Sequence, residues 1–348
     1  VRRVMAALEE AEKPLICIGG GVFAAHAENE IRELADLMQI PVITTMMGIS
    51  VFPDDDQLFC GMIGTHGVKM ANAAVNECDV LFLVGARVGD RAVKTPLALE
   101  KTTKIIHIDI DPAEIGKNIG ADLPLVGDAK LVLQQMTELA KPMKHDEWIA
   151  HIKTLGGERK YVEPAKGTVN PRVFIDRLAK KMPANVTVVA DVGQNQIWTC
   201  TEYKFRKEGR LLTSGGMGTM GYSVPAAIGA KMADNSRATV AICGDGAFQM
   251  SFMELATAVQ FGVDIKVVVM TNNRLGMVRE LQTNGYHDRQ TAVFLDGSPD
   301  FIKLAEAYGI PAMRVYDDDT MEKGIEMLAE HKGICLVEVV VDKDMPTL

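Results

Sequence analysis

Gly244-Asp245-Gly246 follows the apolar run Ala238–Cys243, and Asn272 follows a second apolar run at Ile265–Met270. Such runs are typical of strands buried on both faces, and the polar residues after them mark the strand ends. In a parallel sheet these ends meet at one edge, where doubly wound folds bind their ligands. The pattern therefore predicts an α/β fold whose crevice holds one carboxylate and one carboxamide.

Asp245 and Asn272 together have the chemistry of a divalent metal site. Mg²⁺ prefers oxygen ligands and keeps coordination positions for phosphate oxygens and water. Gly246 has no Cβ, so a diphosphate can approach the backbone there. A helix expected from about Gln249 to Phe261 would direct its N-terminal amides at the same phosphates. These residues taken alone also fit two ordinary strand-to-helix turns with polar residues at the helix starts.

Composition bounds the class of protein. The chain has 348 residues, enough for two domains, and its net charge of −9 argues against a nucleic-acid or anionic-membrane surface. Aromatic residues make up only 5%, so the cores must depend on aliphatic side chains and on the 20 methionines. The six cysteines show no CxxC spacing, which indicates buried free thiols in a reducing compartment. No apolar run reaches membrane-spanning length.

Two series of alternating strands and helices are expected, in residues 1–141 and 168–348, each a doubly wound parallel sheet. Residues 142–167 are rich in charge, glycine and proline, and predict a linker with one short helix around Trp148. The second series begins with a helix at Pro171 that Asn170 caps. The expected strands are Pro14–Ile18, Pro41–Thr45, Val80–Val84, Ile105–Asp109, Val186–Ala190, Ala238–Cys243, Ile265–Met270 and Ile334–Val341.

Three further segments are expected at the edge that carries Asp245. Asp191-Val-Gly-Gln194 follows the first strand of the second series, and Gly276-Met-Val278 lies just past Asn272. The glycine-dense stretch 215–221 precedes a helix expected at Pro225–Met232, a position that favours a ligand loop over a mobile linker.

The second half of the chain resembles a known family. Gly-Asp-Gly followed by Asn after 27 residues resembles the thiamine diphosphate motif. The surrounding segments are similar to those of the catalytic subunit of acetolactate synthase (acetohydroxyacid synthase). They are Thr213-Ser-Gly-Gly-Met-Gly-Thr-Met-Gly221, Pro225-Ala-Ala-Ile-Gly-Ala230, Gly244-Asp-Gly-Ala-Phe-Gln-Met250 and Gly276-Met-Val278.

The first half resembles the FAD-binding, Rossmann-like middle domain of the same family. The segments that carry this likeness are Gly61-Met-Ile-Gly-Thr-His-Gly67, Gly85-Ala-Arg87, Asp90-Arg91 and His107-Ile-Asp-Ile-Asp-Pro-Ala-Glu-Ile115.

The resemblance implies two cofactors in the second half, thiamine diphosphate and Mg²⁺. The side chains of Asp245 and Asn272 and the carbonyl of Arg274 would hold the metal, and Met220 would keep the thiamine bent. Gly218 and Met277 would contact its aminopyrimidine. The full set implied for thiamine diphosphate is Val192, Gly193, Gln194, Gly218, Met220, Asp245, Gly246, Ala247, Asn272, Gly276, Met277 and Val278.

In the first half the resemblance implies FAD with a largely structural role. Arg87 and Arg91 are suited to clamp a pyrophosphate, and Asp109 and Asp128 to accept ribose hydroxyls. Gly89 stands where the family commonly has Asp. The set expected for FAD is Gly20, Thr45, Met46, His66, Gly85, Ala86, Arg87, Asp90, Arg91, Asp109 and Asp128.

The resemblance also implies an activity. Pyruvate would be decarboxylated and its two-carbon unit transferred to a second 2-keto acid, a step of branched-chain amino-acid biosynthesis. The family's catalytic glutamate lies in an N-terminal domain donated across a dimer interface. The chain starts at Val1 inside a helical pattern, so we expect a piece of a longer polypeptide that is inactive alone. A homodimer or tetramer, a regulatory small subunit and, in a bacterium, a cytoplasmic location are expected.

Two positions depart from the family pattern. Leu281 replaces a tryptophan that the family links to preference for the larger second substrate. Asn195 replaces a histidine, so no acid or base role is assigned to it.

Alternatives remain open from the sequence. One is another thiamine-dependent keto-acid decarboxylase or carboligase, such as a glyoxylate or sulfoacetaldehyde ligase or a flavin-free catabolic acetolactate synthase. A different class is a non-catalytic nucleotide-binding module.

Overall fold

The computed structural model describes residues 1–157 and 161–348. The chain forms two compact units that divide between residues 159 and 160, inside the predicted linker 142–167. Residues 158–160 of that linker lie outside the described residues. No helix in the described residues combines the length and apolar character that crossing a membrane requires.

The first unit contains a parallel sheet in the order β3-β2-β1-β4-β5-β6. Its strands are β1 Pro14–Ile18, β2 Val42–Thr44, β3 Phe59–Met62, β4 Val80–Val84, β5 Lys104–Asp109 and β6 Leu123–Val126. Its helices are α1 Arg2–Glu10, α2 Gly21–Ala24, α3 Glu28–Met38, α4 Lys69–Glu77, α5 Pro96–Leu99, α6 Ala129–Leu139 and α7 Asp146–Thr154, with a 3₁₀ turn at Met46–Gly48.

Successive residues of β1 pack on opposite faces of this sheet, because side chains alternate along a strand. Ile16 and Ile18 lie in the core under α1, α3 and α6, whereas Leu15 and Cys17 lie in the core under α4 and α7. The short helix predicted around Trp148 is confirmed as α7. The Trp148 indole is buried and its Nε1 donates to the Pro14 carbonyl at 2.9 Å.

The second unit contains a parallel sheet in the order β11-β12-β10-β9-β7-β8. Its strands are β7 Thr187–Ala190, β8 Arg210–Thr213, β9 Thr239–Gly244, β10 Lys266–Thr271, β11 Ala312–Val315 and β12 Cys335–Val340. Its helices are α8 Pro171–Lys181, α9 Gln194–Glu202, α10 Ser223–Ala233, α11 Asp245–Gln249, α12 Leu255–Gln260, α13 Gly276–Gly285, α14 Phe301–Ala307 and α15 Asp318–Glu330, with a 3₁₀ turn at Phe252–Glu254.

The predicted fold class, two doubly wound α/β units, is confirmed. The strands expected from the sequence are all present within one or two residues of their predicted bounds. The Asn170 cap is also confirmed, since its Oδ1 accepts from the amides of Arg172 at 2.9 Å and Val173 at 3.3 Å. The strands that the sequence did not predict, β3, β6, β8 and β11, are the edge strands of the two sheets.

The prediction of a single helix over residues 249–261 was wrong. A helix begins earlier, at Asp245, and ends at Gln249, and a 3₁₀ turn and α12 follow it. The break occurs because the amides of Met250 and Ser251 bond three residues back, which tightens the end of α11. Ser251, with φ −144°, then leaves the helical region. The amides at the crevice are therefore those of α11, not of a helix starting at Gln249.

Candidate functional site

A cleft lies at the carboxyl ends of β7, β9 and β10, which are neighbours in the second sheet. The strand order reverses between β7 and β9, the position where doubly wound folds bind ligands. The free volume is about 580 Å³, part of it open to solvent. The cleft is lined by Val192, Gly193, Gln194, Asn195, Trp198, Met220, Gly244, Asp245, Gly246, Ala247, Met270, Asn272, Arg274, Leu275, Gly276, Met277 and Val278.

Asp245 is buried at the end of β9 and lies directly against the end of β10. Its Oδ2 accepts from the backbone amides of Asn272 at 3.1 Å and Asn273 at 2.6 Å, and its Oδ1 accepts from the amide of Gly246 at 2.8 Å. The carboxylate and the asparagine that are 27 residues apart in sequence are therefore adjacent.

Burial raises the pKa of Asp245 to about 6, against the effect of the three backbone amides, which lower it. Desolvation disfavours the charged carboxylate, and a bound cation would restore the balance. This is the electrostatic condition expected of a carboxylate that binds a metal ion.

Asn272 is the second predicted metal ligand. Its Oδ1 accepts from the amide of Arg274 at 3.1 Å, and its Nδ2 donates to Gln194 Oε1 at 3.3 Å. The Arg274 side chain is directed away, to the carbonyl of Asn273 and the carboxylate of Asp296. One carboxylate, one amide oxygen and one backbone carbonyl form the hard oxygen set that suits Mg²⁺.

Three helices begin at residues that line the cleft, α9 at Gln194, α11 at Asp245 and α13 at Gly276. Free amides at a helix N-terminus favour anions. The sequence predicted one such helix, and the structure places three N-termini around one cleft. A diphosphate and a cation are therefore compatible with the same edge.

The glycines of the cleft have different surroundings. A Cβ on Gly276 would lie 1.9 Å from Gln194 Oε1, so any larger residue there would require the Gln194 side chain to move. A Cβ on Gly246 would lie 2.8 Å from Leu275 Cδ2 and 3.4 Å from Met220 Cε. A larger residue at 246 would therefore displace these apolar side chains, whether or not a diphosphate binds there.

The structure brings eleven of the twelve residues predicted for thiamine diphosphate, and all three predicted for the metal, to one cleft. Gly218 is not among the lining residues. It lies in the exposed part of the glycine loop, where its amide donates to the Ser214 carbonyl at 2.8 Å.

Sequence reasoning missed the segment Met345–Thr347, which does not line the cleft but bonds to two side chains that do. Gln194 Nε2 donates to the Met345 carbonyl at 2.9 Å and to Thr347 Oγ1 at 3.2 Å, and Trp198 Nε1 donates to the Pro346 carbonyl at 3.1 Å. Glu280 accepts from the Thr347 amide at 3.0 Å. No pattern in the sequence marks a contact across 151 residues.

Asn195, to which the sequence assigned no chemical role, joins two strand ends. Its Nδ2 donates to the Asp191 carbonyl at 2.8 Å and to the Ile242 carbonyl at 3.2 Å, which links the end of β7 to β9. An amide in this position holds the two walls of the cleft together.

In the first unit, the residues predicted for FAD all follow the carboxyl ends of strands. Gly20 follows β1, Thr45 and Met46 follow β2, and His66 follows β3. The remaining predicted residues are Gly85, Ala86, Arg87, Asp90 and Arg91 after β4, Asp109 at the end of β5, and Asp128 after β6. The strand order reverses between β1 and β4, so these residues share the edge where a dinucleotide is expected.

The loops after β1 and β4 touch through glycines. A Cβ on Gly19 would lie 2.1 Å from the Gly85 carbonyl oxygen, and Gly85 has φ +56°. The structure shows Asp128 as the cap of α6, since its Oδ1 accepts from the Leu131 amide at 3.1 Å. Asp109 Oδ1 accepts from the Asp111 amide at 3.0 Å.

Two domain families match the chain. The thiamine pyrophosphate enzyme C-terminal TPP binding domain matches residues 191–339, and the thiamine pyrophosphate enzyme central domain matches residues 1–136.

Curated relatives agree with these matches. The chain is 39% identical over 353 residues to the probable acetolactate synthase large subunit of Methanocaldococcus jannaschii. It is 38% identical over 356 residues to the acetolactate synthase large subunit of Corynebacterium glutamicum, and 35% over 345 residues to that of Lactococcus lactis. These alignments cover 98%, 99% and 99% of this chain, but 60%, 57% and 60% of the relatives. The chain thus spans about three fifths of their length.

Proposed function

The chain belongs to the thiamine pyrophosphate enzymes, and we propose that it provides the metal- and diphosphate-binding part of an acetolactate synthase large subunit. The proposal is supported above all by the Asp245 carboxylate, which accepts hydrogen bonds from the backbone amides of Asn272 and Asn273 at the cleft. The proposed reaction joins pyruvate to a second 2-keto acid with loss of CO₂. The named relatives, which are acetolactate synthases, support this substrate class.

Mg²⁺ is proposed to bind the side-chain oxygens of Asp245 and Asn272 and the carbonyl of Arg274. The diphosphate is proposed to meet the amides at Val192–Gln194 and at Gly246 and Ala247. Thiamine diphosphate, when bound, supplies the electron sink for decarboxylation of a 2-keto acid. The chain's own residues would anchor and orient it, and Met220, which lines the cleft, would hold it in a bent conformation.

FAD is proposed for the first unit, at the edge that carries the residues predicted for it. Gly19 and Gly85 pack backbone against backbone, which brings the loops after β1 and β4 together at the edge where a dinucleotide is expected. Arg87 and Arg91 are exposed beside this edge, and their guanidinium groups would neutralise the charge of the pyrophosphate.

An assembly with a second large subunit and with a regulatory small subunit is also proposed. The names of the relatives, which are large subunits, support it. Leu281 is exposed on α13, the helix that begins at the cleft, so preference for the second keto acid would be set without an indole there. The buried free cysteines are consistent with a reducing, cytoplasmic compartment.

Calorimetry with thiamine diphosphate, in the presence of Mg²⁺ and of EDTA, tests the second unit. We expect binding only with Mg²⁺, and Asp245→Asn should weaken it by about 100-fold because the ion loses its carboxylate. Asp319→Asn, which removes an exposed carboxylate on α15, is the matched control and should bind as the parent does. Equal binding in EDTA would refute the metal site, and no binding in Mg²⁺ would refute the cofactor site.

Flavin absorbance tests the first unit separately. We expect the chain to retain FAD after gel filtration, and the double substitution Arg87→Ala with Arg91→Ala to lose it. Lys94→Ala removes an exposed cation from the same loop and should retain FAD. Retention by the double variant would contradict the proposed pyrophosphate contact.

A further inference from the structure

Asp191 is a fully buried carboxylate that immediately precedes the cleft. It lies one residue beyond β7, with 0% of its surface exposed. Its Oδ1 accepts from the amides of Val192 at 2.8 Å and Gly221 at 3.0 Å, and its Oδ2 accepts from the amide of Ser223 at 2.7 Å. Both oxygens are therefore engaged by backbone N–H groups.

Two of these bonds cross to the end of the glycine-dense loop. Gly221 follows Met220 directly and has φ +84°, and Ser223 is the first residue of α10. The preceding part of the loop, residues 215–219, is exposed, and Met217 has 90% of its surface accessible. A glycine-rich loop has many accessible conformations, so the position of Met220 depends on what fixes its neighbours.

We propose that Asp191 is a positioning residue that fixes Met220 in the cleft through the amides of Gly221 and Ser223. The assignment rests on the proposed function, because Met220 matters there as the support of the thiamine diphosphate. Three backbone donors converge on this side chain, and a carboxylate meets them because it accepts on both oxygens. Asparagine would present an NH₂ group to at least one donor and leave a buried amide unpaired.

The first test is a double-mutant cycle on cofactor binding, measured by calorimetry with thiamine diphosphate and Mg²⁺. We expect Asp191→Asn and Met220→Ala each to weaken binding at least about tenfold, and the double variant to bind no more weakly than the poorer single variant. Such non-additivity is expected when one residue acts through another. Additive losses would overturn the proposal, because a general structural role does not pass through Met220.

The control for lost stability is Asp317→Ala, which removes the capping box of α15 in the same unit. It should leave the affinity for the cofactor unchanged. An equal loss of affinity in this control would show that destabilisation alone weakens binding, and would overturn the proposal.

The second test needs no cofactor, so its outcome is independent of the proposed function. Hydrogen exchange followed by mass spectrometry reads the amides of Gly221 and Ser223 in the cofactor-free chain. We expect protection in the parent, and exchange at least about tenfold faster in Asp191→Asn than in Asp317→Ala. Unprotected amides at these positions in the parent would overturn the proposal, even if Asp191→Asn fails to fold.

Discussion

Gly276→Ala is the substitution for which the structure makes the sharpest prediction. The φ of Gly276 lies outside the left-handed region, so the backbone accepts alanine. The new Cβ, however, would lie 1.9 Å from Gln194 Oε1 and 2.6 Å from its Cδ. Gln194 must therefore move, which disrupts the link between Asn272, a proposed metal ligand, and the segment that ends at Thr347.

The magnitude follows from the bonds that Gln194 makes. Its Oε1 accepts from Asn272 at 3.3 Å, and its Nε2 donates to the Met345 carbonyl at 2.9 Å, with Thr347 Oγ1 and Glu280 Oε2 further away at 3.2 and 3.3 Å. The loss of about three hydrogen bonds costs roughly 1 kcal/mol each, and alanine in a helix restores a few tenths. The free energy of unfolding should therefore fall by about 2–3 kcal/mol. For a unit of this size the expected fall in melting temperature is about 5–10 °C.

Thermal unfolding followed by calorimetry measures this change, and Gly229→Ala is the matched control. Gly229 is an exposed position inside α10, and a Cβ added there would have no atom within 4 Å, so the same substitution should stabilise by about 0.5–1 kcal/mol. In a Gln194→Ala background most of the cost of Gly276→Ala should disappear, because the amide at 1.9 Å is gone and Asn272 Nδ2, at 3.1 Å, needs to shift by only a few tenths of an ångström. A cost that persists in that background, or a Gly276→Ala variant as stable as the parent, would refute the reasoning.

Three further outcomes are expected. His107 is buried in β5, and burial lowers its pKa more than Asp109 and the Ala86 backbone raise it. The free energy of unfolding, measured with urea, should therefore fall as pH drops below about 6.5, where the unfolded chain binds a proton at this residue. The fall should be smaller in His107→Leu. Asn170→Ala should lower the free energy of unfolding by at least about 1 kcal/mol in the same assay, whereas Asn170→Asp keeps the cap and loses only the bond from Nδ2 to the Val162 carbonyl, so it should cost less. Gly85→Ala should lower the free energy of unfolding more than Gly116→Ala does. Both glycines have positive φ, but only at Gly85 would the Cβ lie 2.7 Å from a backbone atom. Equal losses of stability in the two variants would contradict this.

The part of the fold that the sequence predicted is the interior of each sheet. Inner strands such as β4 and β10 are covered on both faces, so every residue is apolar or buried and the run is continuous. Edge strands lack that signal. Exposure alternates along β3, and β6 has Pro124 inside the strand rather than at its first residue. Proline has no amide to donate, and an edge strand tolerates it at such a position.

The candidate site also has one part that the sequence predicted and another that it did not. Asp245 and Asn272 could be placed together because strand ends of a parallel sheet meet at one edge, whatever the details of packing. The contact of Gln194 with Met345 could not be predicted, since the segment after β12 has neither apolar periodicity nor a motif. The three amides that donate to Asp191 could not be predicted either, because every residue except proline has a backbone N–H and the sequence does not show which of them point to this side chain.

Two buried carboxylates, Asp191 and Asp245, lie at the ends of neighbouring strands, and each accepts backbone amides on both oxygens. They differ in their access to the cleft, because Asp191 is not among the residues that line it. Asp245 lines the cleft, and its pKa, raised from 3.8 to about 6 by burial, means that ionisation costs the cofactor-free unit up to about 3 kcal/mol of stability as pH rises through that range. A cation bound at the proposed metal site would offset this cost, so occupation of that site should raise the stability of the unit at neutral pH.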